Sequence, residues 1–84
     1  MKLFISFEGI DGCGKSTQVK LLSEKLTTFN INNIIIREPG DTIVSDKIRS
    51  ILLDKNNNIG NVSETMLFLS ARSQLVDEKI IPFY

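Results

Sequence analysis

Residues 9–16 read GIDGCGKS, a Gly, four further residues and then Gly-Lys-Ser, and no other run constrains the chain as strongly. The pattern is credible only with a strand before it and a helix after it. Residues 2–8 (KLFISFE) supply a candidate buried strand, and Val19, Leu22, Leu26 and Phe29 follow at helical spacing. Where a helix begins, backbone N–H groups lack intrahelical partners and the macrodipole is positive, so a polyphosphate completes the turn. In this pattern Lys15 reaches the β- and γ-phosphates, and Ser16 places its hydroxyl on a magnesium ion. The other reading of the run is a Gly-rich turn into an ordinary helix.

At 84 residues the chain buries a modest core, and ten basic residues balance ten acidic ones. That balance points to neither nucleic acid nor a membrane surface as partner. No apolar run is long enough to span a bilayer, and MKLFISFEG lacks the small-residue cleavage site of a signal peptide. The one cysteine, Cys13, cannot form an internal disulfide, which fits a reducing cytoplasm. Cys13 reads as a small loop residue, although a thiol beside a helix N-terminus gains some reactivity.

The chain reads as one domain without repeats or linkers. Apolar groups on both faces of residues 2–8 suit a central parallel strand, and Ile34, Ile35 and Ile36 suit a second one. Helices are expected at about 15–29, 42–53 and 61–80, with Asn61 and Glu64 as a capping box and Pro82 as the stop. The apolar sides are assigned to Val44, Ile48, Ile51 and Leu52 on the second helix. On the third they are Met66, Leu69, Val76 and Ile80. The polar run at 54–61 (DKNNNIGN) reads as a mobile surface loop. Alternating strands and helices predict an α/β domain with a parallel sheet, whose ligands bind beyond the carboxyl ends of the strands.

The runs FEGIDGCGKSTQ, REPG, the helix with Lys47-Ile48-Arg49 and FLSARSQLV together resemble the N-terminal part of thymidylate kinase. The resemblance implies a P-loop NTPase fold, a parallel sheet flanked by helices, of which residues 1–84 are the N-terminal part of a single kinase domain. It implies a cytoplasmic enzyme of nucleotide biosynthesis that transfers the γ-phosphoryl group of ATP to dTMP, giving dTDP, with Mg²⁺ accompanying ATP. Full family members are homodimers.

Carried over residue by residue, the resemblance assigns Gly9, Ile10, Asp11, Gly12, Cys13 and Gly14 to the phosphate loop, with Lys15, Ser16 and Thr17 on the ATP phosphates and Ser16 on the metal. Lys15 and Asp11 are the catalytic candidates, and Asp11 also approaches the sugar 3′-hydroxyl of dTMP. Glu38 borders the acceptor nucleotide, Arg49 approaches its phosphate, Phe68 stacks on thymine and Arg72 binds the base edge. Spacing supports the last pair independently, because residues four apart share a helix face, and a ring beside a planar donor fork suits a base.

Plainer readings stay open beside these. Phe68 fits a core aromatic, Arg49 and Arg72 fit solvated helix charges, Asp11 fits a turn former and Glu38 fits a strand-end charge. Two positions depart from the family pattern: Asp41 stands where a second Gly is usual after REPG, and Asp46 stands near a usual Glu.

The family's next strand, with its acidic-arginine segment, its lid arginines and its adenine cover are not among these residues. That next strand also lies between the two expected at residues 2–8 and 34–36. The 84 residues alone are therefore expected to be marginally stable and to turn over little or no substrate. The alternatives are a non-catalytic nucleotide-binding remnant, or a P-loop kinase for another monophosphate.

Overall fold

A computed structural model of the chain describes residues 3–9, 12 and 14–84. They fall into two compact units, Met1–Ile35 and Ile36–Tyr84.

In the first unit Gly14 takes left-handed backbone (φ 86°, ψ 9°) and opens α1, Lys15–Thr28, without a side-chain cap. Val19, Leu22 and Leu26 form its half-buried side, whereas Phe29 is exposed. The helix closes on Asn30, at φ 58°, whose N–H donates to the Thr27 carbonyl at 2.9 Å while that of Ile31 donates to Leu26 at 3.0 Å. This is the Schellman arrangement, with asparagine in the position usually held by glycine. Asn33 ties the following turn back to α1, its amide nitrogen donating to the Ile31 carbonyl and to Thr27 Oγ1.

Of the strands expected at residues 2–8 and 34–36, the described part, 3–8 and 34–36, forms none, and among the described residues none is paired as a strand. A strand owes its stability to the ladder it joins, and a short β-branched run has no local hydrogen bonds to hold it alone. The resemblance sets another strand between these two, so neither can complete the other's ladder. Leu3, Phe4 and Ile5 are accordingly more than half exposed.

The second unit begins with the loop at 37–42, which leads through Thr42 into α2, Ile43–Leu53. Beyond α2, the Asp54 carboxylate accepts the Asn56 N–H at 2.9 Å, and the Asn57 side chain donates to the Ile51 carbonyl at 3.0 Å. The Asn-rich run is thus a hydrogen-bonded Asx turn.

Helix α3, Asn61–Leu75, starts one residue earlier than the capping box requires. Gly60 is its N-cap, and Glu64 donates its N–H to the Gly60 carbonyl at 2.9 Å. Asn61 and Glu64 therefore sit inside the first turn, one step past the N-cap and third positions that a box joins.

The buried stripe of α3 also differs from the expected one. Ala71 and Leu75 are buried and Leu67 half-buried, while Met66 and Leu69 are exposed. Val76 and Ile80 belong to the turn after α3. This turn is a π-helical stretch, Val76–Ile80, in which the Ile81 N–H reaches back five residues to Val76. Helix α4, Ile81–Phe83, continues past Pro82, which the sequence reads as a stop. Proline lies in the first turn of α4, where a missing N–H costs least.

Candidate functional site

The described residues of the run at 9–16 show why it is glycine-rich. Gly12 and Gly14 have φ of 82° and 86°, and a Cβ added at either would meet no atom within 4 Å. Backbone conformation demands glycine there, and space does not. Lys15 folds back along the loop, its Nζ donating to the Gly9 carbonyl at 3.1 Å. Ser16 and Thr17 come next, in the exposed first turn of α1. Ile10, Asp11 and Cys13 lie outside the described residues.

In the second unit, α2 and α3 meet through small residues. Thr42, extended at φ −130° and ψ 164°, accepts the Ser45 N–H on its Oγ1 at 2.9 Å and so caps α2. The Thr42 hydroxyl donates to Ser45 Oγ at 2.7 Å, and Ser45 Oγ donates to the Ala71 carbonyl at 2.8 Å. Ser45 and Ala71 are both buried, and a serine against an alanine lets the backbones approach closely.

This crossing sets Arg72, the residue after Ala71, opposite the loop. Its Nη2 donates to Glu38 Oε2 at 2.7 Å, and its Nε lies 3.1 Å from both carboxylate oxygens. The carboxylate hydrogen bond and charge push the Arg72 guanidinium pKa further up, so it stays cationic.

Glu38, Pro39, Thr65, Phe68, Leu69 and Arg72 line an open cleft of about 260 Å³. That is somewhat below the ~300 Å³ at which ligand pockets begin. Phe68, a little under half exposed, offers a ring face, and the Arg72–Glu38 pair offers donors and acceptors beside it.

Three of the residues assigned to the acceptor nucleotide, Glu38, Phe68 and Arg72, thus share one cleft. Arg49 is not part of its lining and instead donates from Nη1 to the Pro39 carbonyl at 2.9 Å. Pro39 and Thr65 were not assigned to the site from the sequence, and Leu69 was assigned to the buried side of the third helix, whereas it is exposed and lines the cleft. The available signal was spacing, since Thr65 lies three residues before Phe68 and Leu69 three before Arg72.

The loop itself is held by residues that depart from the family pattern. The Glu38–Pro39 peptide is cis, and Gly40 and Asp41 have φ of 142° and 71°. The Asp41 carboxylate accepts the Arg37 N–H, and the Asp41 N–H donates to Asp46 Oδ1 at 2.8 Å.

The model of the thymidylate kinase family matches residues 7–83. The chain belongs to that family, and membership implies a P-loop NTPase fold. Among curated relatives, thymidylate kinase of Thermoanaerobacter sp. (strain X514) is 60% identical over 79 residues, covering 94% of this chain and 39% of the relative. Thymidylate kinase of Caldanaerobacter subterraneus subsp. tengcongensis is 58% identical, covering 94% and 38%. That of Thermosipho africanus is 58% identical over 80 residues, covering 95% and 40%. The chain thus spans about two-fifths of the length of these relatives. No solved structure matches it.

Proposed function

We propose that these residues carry the phosphate loop and the acceptor-base cleft of a thymidylate kinase, which moves the γ-phosphoryl group of ATP to dTMP and yields dTDP. Family membership supports the reaction class. The observation that carries the acceptor assignment is the single cleft shared by Glu38, Phe68 and Arg72. In this reading Phe68 stacks on thymine, Arg72 meets the base edge while Glu38 orients it, and Arg49 contributes positive charge toward the acceptor phosphate. Asp11 approaches the 3′-hydroxyl of dTMP.

On the donor side, Lys15 and the loop amides hold the ATP phosphates. Phosphoryl transfer is catalysed by such positioning and charge stabilisation, with little covalent chemistry by the protein. A hard cation takes oxygen ligands, and the Ser16 hydroxyl beside Lys15 fits Mg²⁺ arriving with ATP. Held there by the Ser16 hydroxyl, such an ion would supply charge neutralisation to the transferring phosphoryl group. The parallel sheet, a cytoplasmic setting and a homodimer belong to this same reading.

The test is competition binding by titration calorimetry, with dTMP against dCMP, dUMP and dGMP. A clear dTMP preference is expected, and equal affinities would remove the thymine assignment and favour a kinase for another monophosphate. With ATP, Mg²⁺ and dTMP, the 84 residues alone are expected to form little or no dTDP, because the lid arginines that the resemblance requires are not among them.

A further inference from the structure

We infer that Asp41 is a positioning residue: its carboxylate and its N–H together lock the loop at 37–42 in the shape that presents Glu38 to Arg72. The use of that shape for dTMP rests on the proposed function, whereas the locking itself does not. Asp41 stands in left-handed backbone at φ 71°, which glycine adopts freely and aspartate tolerates through local hydrogen bonds. Two such bonds are in place. Asp41 Oδ2 accepts the Arg37 N–H across the base of the loop, and the Asp41 N–H donates to Asp46 Oδ1 at 2.8 Å.

Helix α2 grips the loop on both sides of Gly40. Asp46, in the first turn of α2, takes the N–H of the residue after Gly40, and Arg49 takes the Pro39 carbonyl that precedes it, at 2.9 Å. The grip is close, since a Cβ on Gly40 would lie 2.8 Å from Asp46 Oδ1 and 3.6 Å from Arg49 Cδ. Glu38 sits between the two ends of this clamp, one residue after the Arg37 N–H and one before Pro39. Its carboxylate therefore meets Arg72 from a backbone fixed on either side. A glycine at 41 would keep the turn but surrender the bond to Arg37. Asp41 supplies an acceptor that glycine lacks.

The experiment compares Asp41→Gly and Asp41→Asn in the full chain, using NMR for the Arg37 amide and the Arg72 Nε–H, and calorimetry for dTMP. Asp41→Gly is expected to speed Arg37 amide exchange about tenfold, the scale of one charge-assisted hydrogen bond. It should also shift the Arg72 Nε–H signal while leaving the urea midpoint in place. Asp41→Asn, which keeps an acceptor and tolerates the backbone, is expected to restore both signals. Asp46→Ala is the second variant and should quicken exchange at Asp41 itself.

An unchanged Arg37 amide and Arg72 signal in Asp41→Gly would overturn the inference. If both signals respond but the parent chain shows no dTMP binding, the positioning role holds and the kinase reading fails. If dTMP binds the parent and both Asp41 variants alike while both signals stay fixed, the reverse is true.

Discussion

Arg72 on α3 and Glu38 in the loop before α2 form a forked ion pair across 34 residues of chain, with Nη2 at 2.7 Å and Nε at 3.1 Å from the carboxylate. The side chains are 62% and 34% exposed, so water and salt screen the pair and it adds little to folding. Arg72→Ala is expected to change unfolding free energy by less than about 1 kcal/mol in urea titrations. If Arg72 meets the base edge as proposed, its effect on dTMP affinity should be larger, about tenfold or more, because the base then loses directed, charge-assisted donors. A stability loss with unchanged dTMP affinity would make the pair purely structural.

Ser45 is buried without exposed surface and links Thr42 to Ala71 through its hydroxyl. Ser45→Ala should cost about 1 kcal/mol, the net value of a hydrogen bond. Ser45→Leu should cost more, about 1–3 kcal/mol, because the crossing has no room for the added atoms. Circular dichroism melts would rank the two, and the opposite order would mean that the helices can part.

Thr42→Ala removes the side-chain acceptor at the start of α2, with an expected loss of about 1 kcal/mol. Thr42→Ser should recover most of it. Equal melting temperatures for all three proteins would show that the cap bond contributes nothing.

Gly40→Ala combines φ of 142° with a Cβ placed 2.8 Å from Asp46 Oδ1. A loss of about 1–3 kcal/mol is expected, and the Arg72 Nε–H signal should move because Glu38 is adjacent to the distorted segment. Asp46→Ala in the same chain should relieve the steric part and leave the conformational part.

Gly14→Ala isolates backbone conformation, since the new methyl group would meet nothing within 4 Å. A cost of about 1–2 kcal/mol from left-handed backbone is expected, read as a lower melting temperature of α1. ATP titration should weaken in parallel, and undiminished ATP binding would argue against the loop as the phosphate cradle.

The helices were readable because each carries its own local signals. The helix expected at about 42–53 stands at Ile43–Leu53 with Thr42 as its cap, and four-residue spacing supported the pairing of Phe68 with Arg72 that the resemblance had assigned. Asn61 misled because a good capping side chain lost to Gly60, whose extended backbone (φ −65°, ψ 155°) starts α3 just as well.

Other features depend on contacts distant in the chain. Nothing local in Ser45 or Ala71 shows that two helices cross there, and Glu38 reaches Arg72 only once they do. The expected strands failed for a related reason: periodicity marks a stretch as fit for a sheet, but only a neighbouring stretch can make it one. The proline at 82 misled because its penalty depends on register, which the preceding turn had altered.

That turn, Val76–Ile80, governs where the Phe83 and Tyr84 rings point, now edge to face with centroids 6.4 Å apart. Each residue in a helix rotates the next by about 100°, so the widened stretch works as a fixed angular offset. Trimming one residue from it would drive the Pro82 ring toward the carbonyl four positions behind and bend the rod there. Both aromatic rings would then swing to a different side of α3, through a change in count rather than in chemistry.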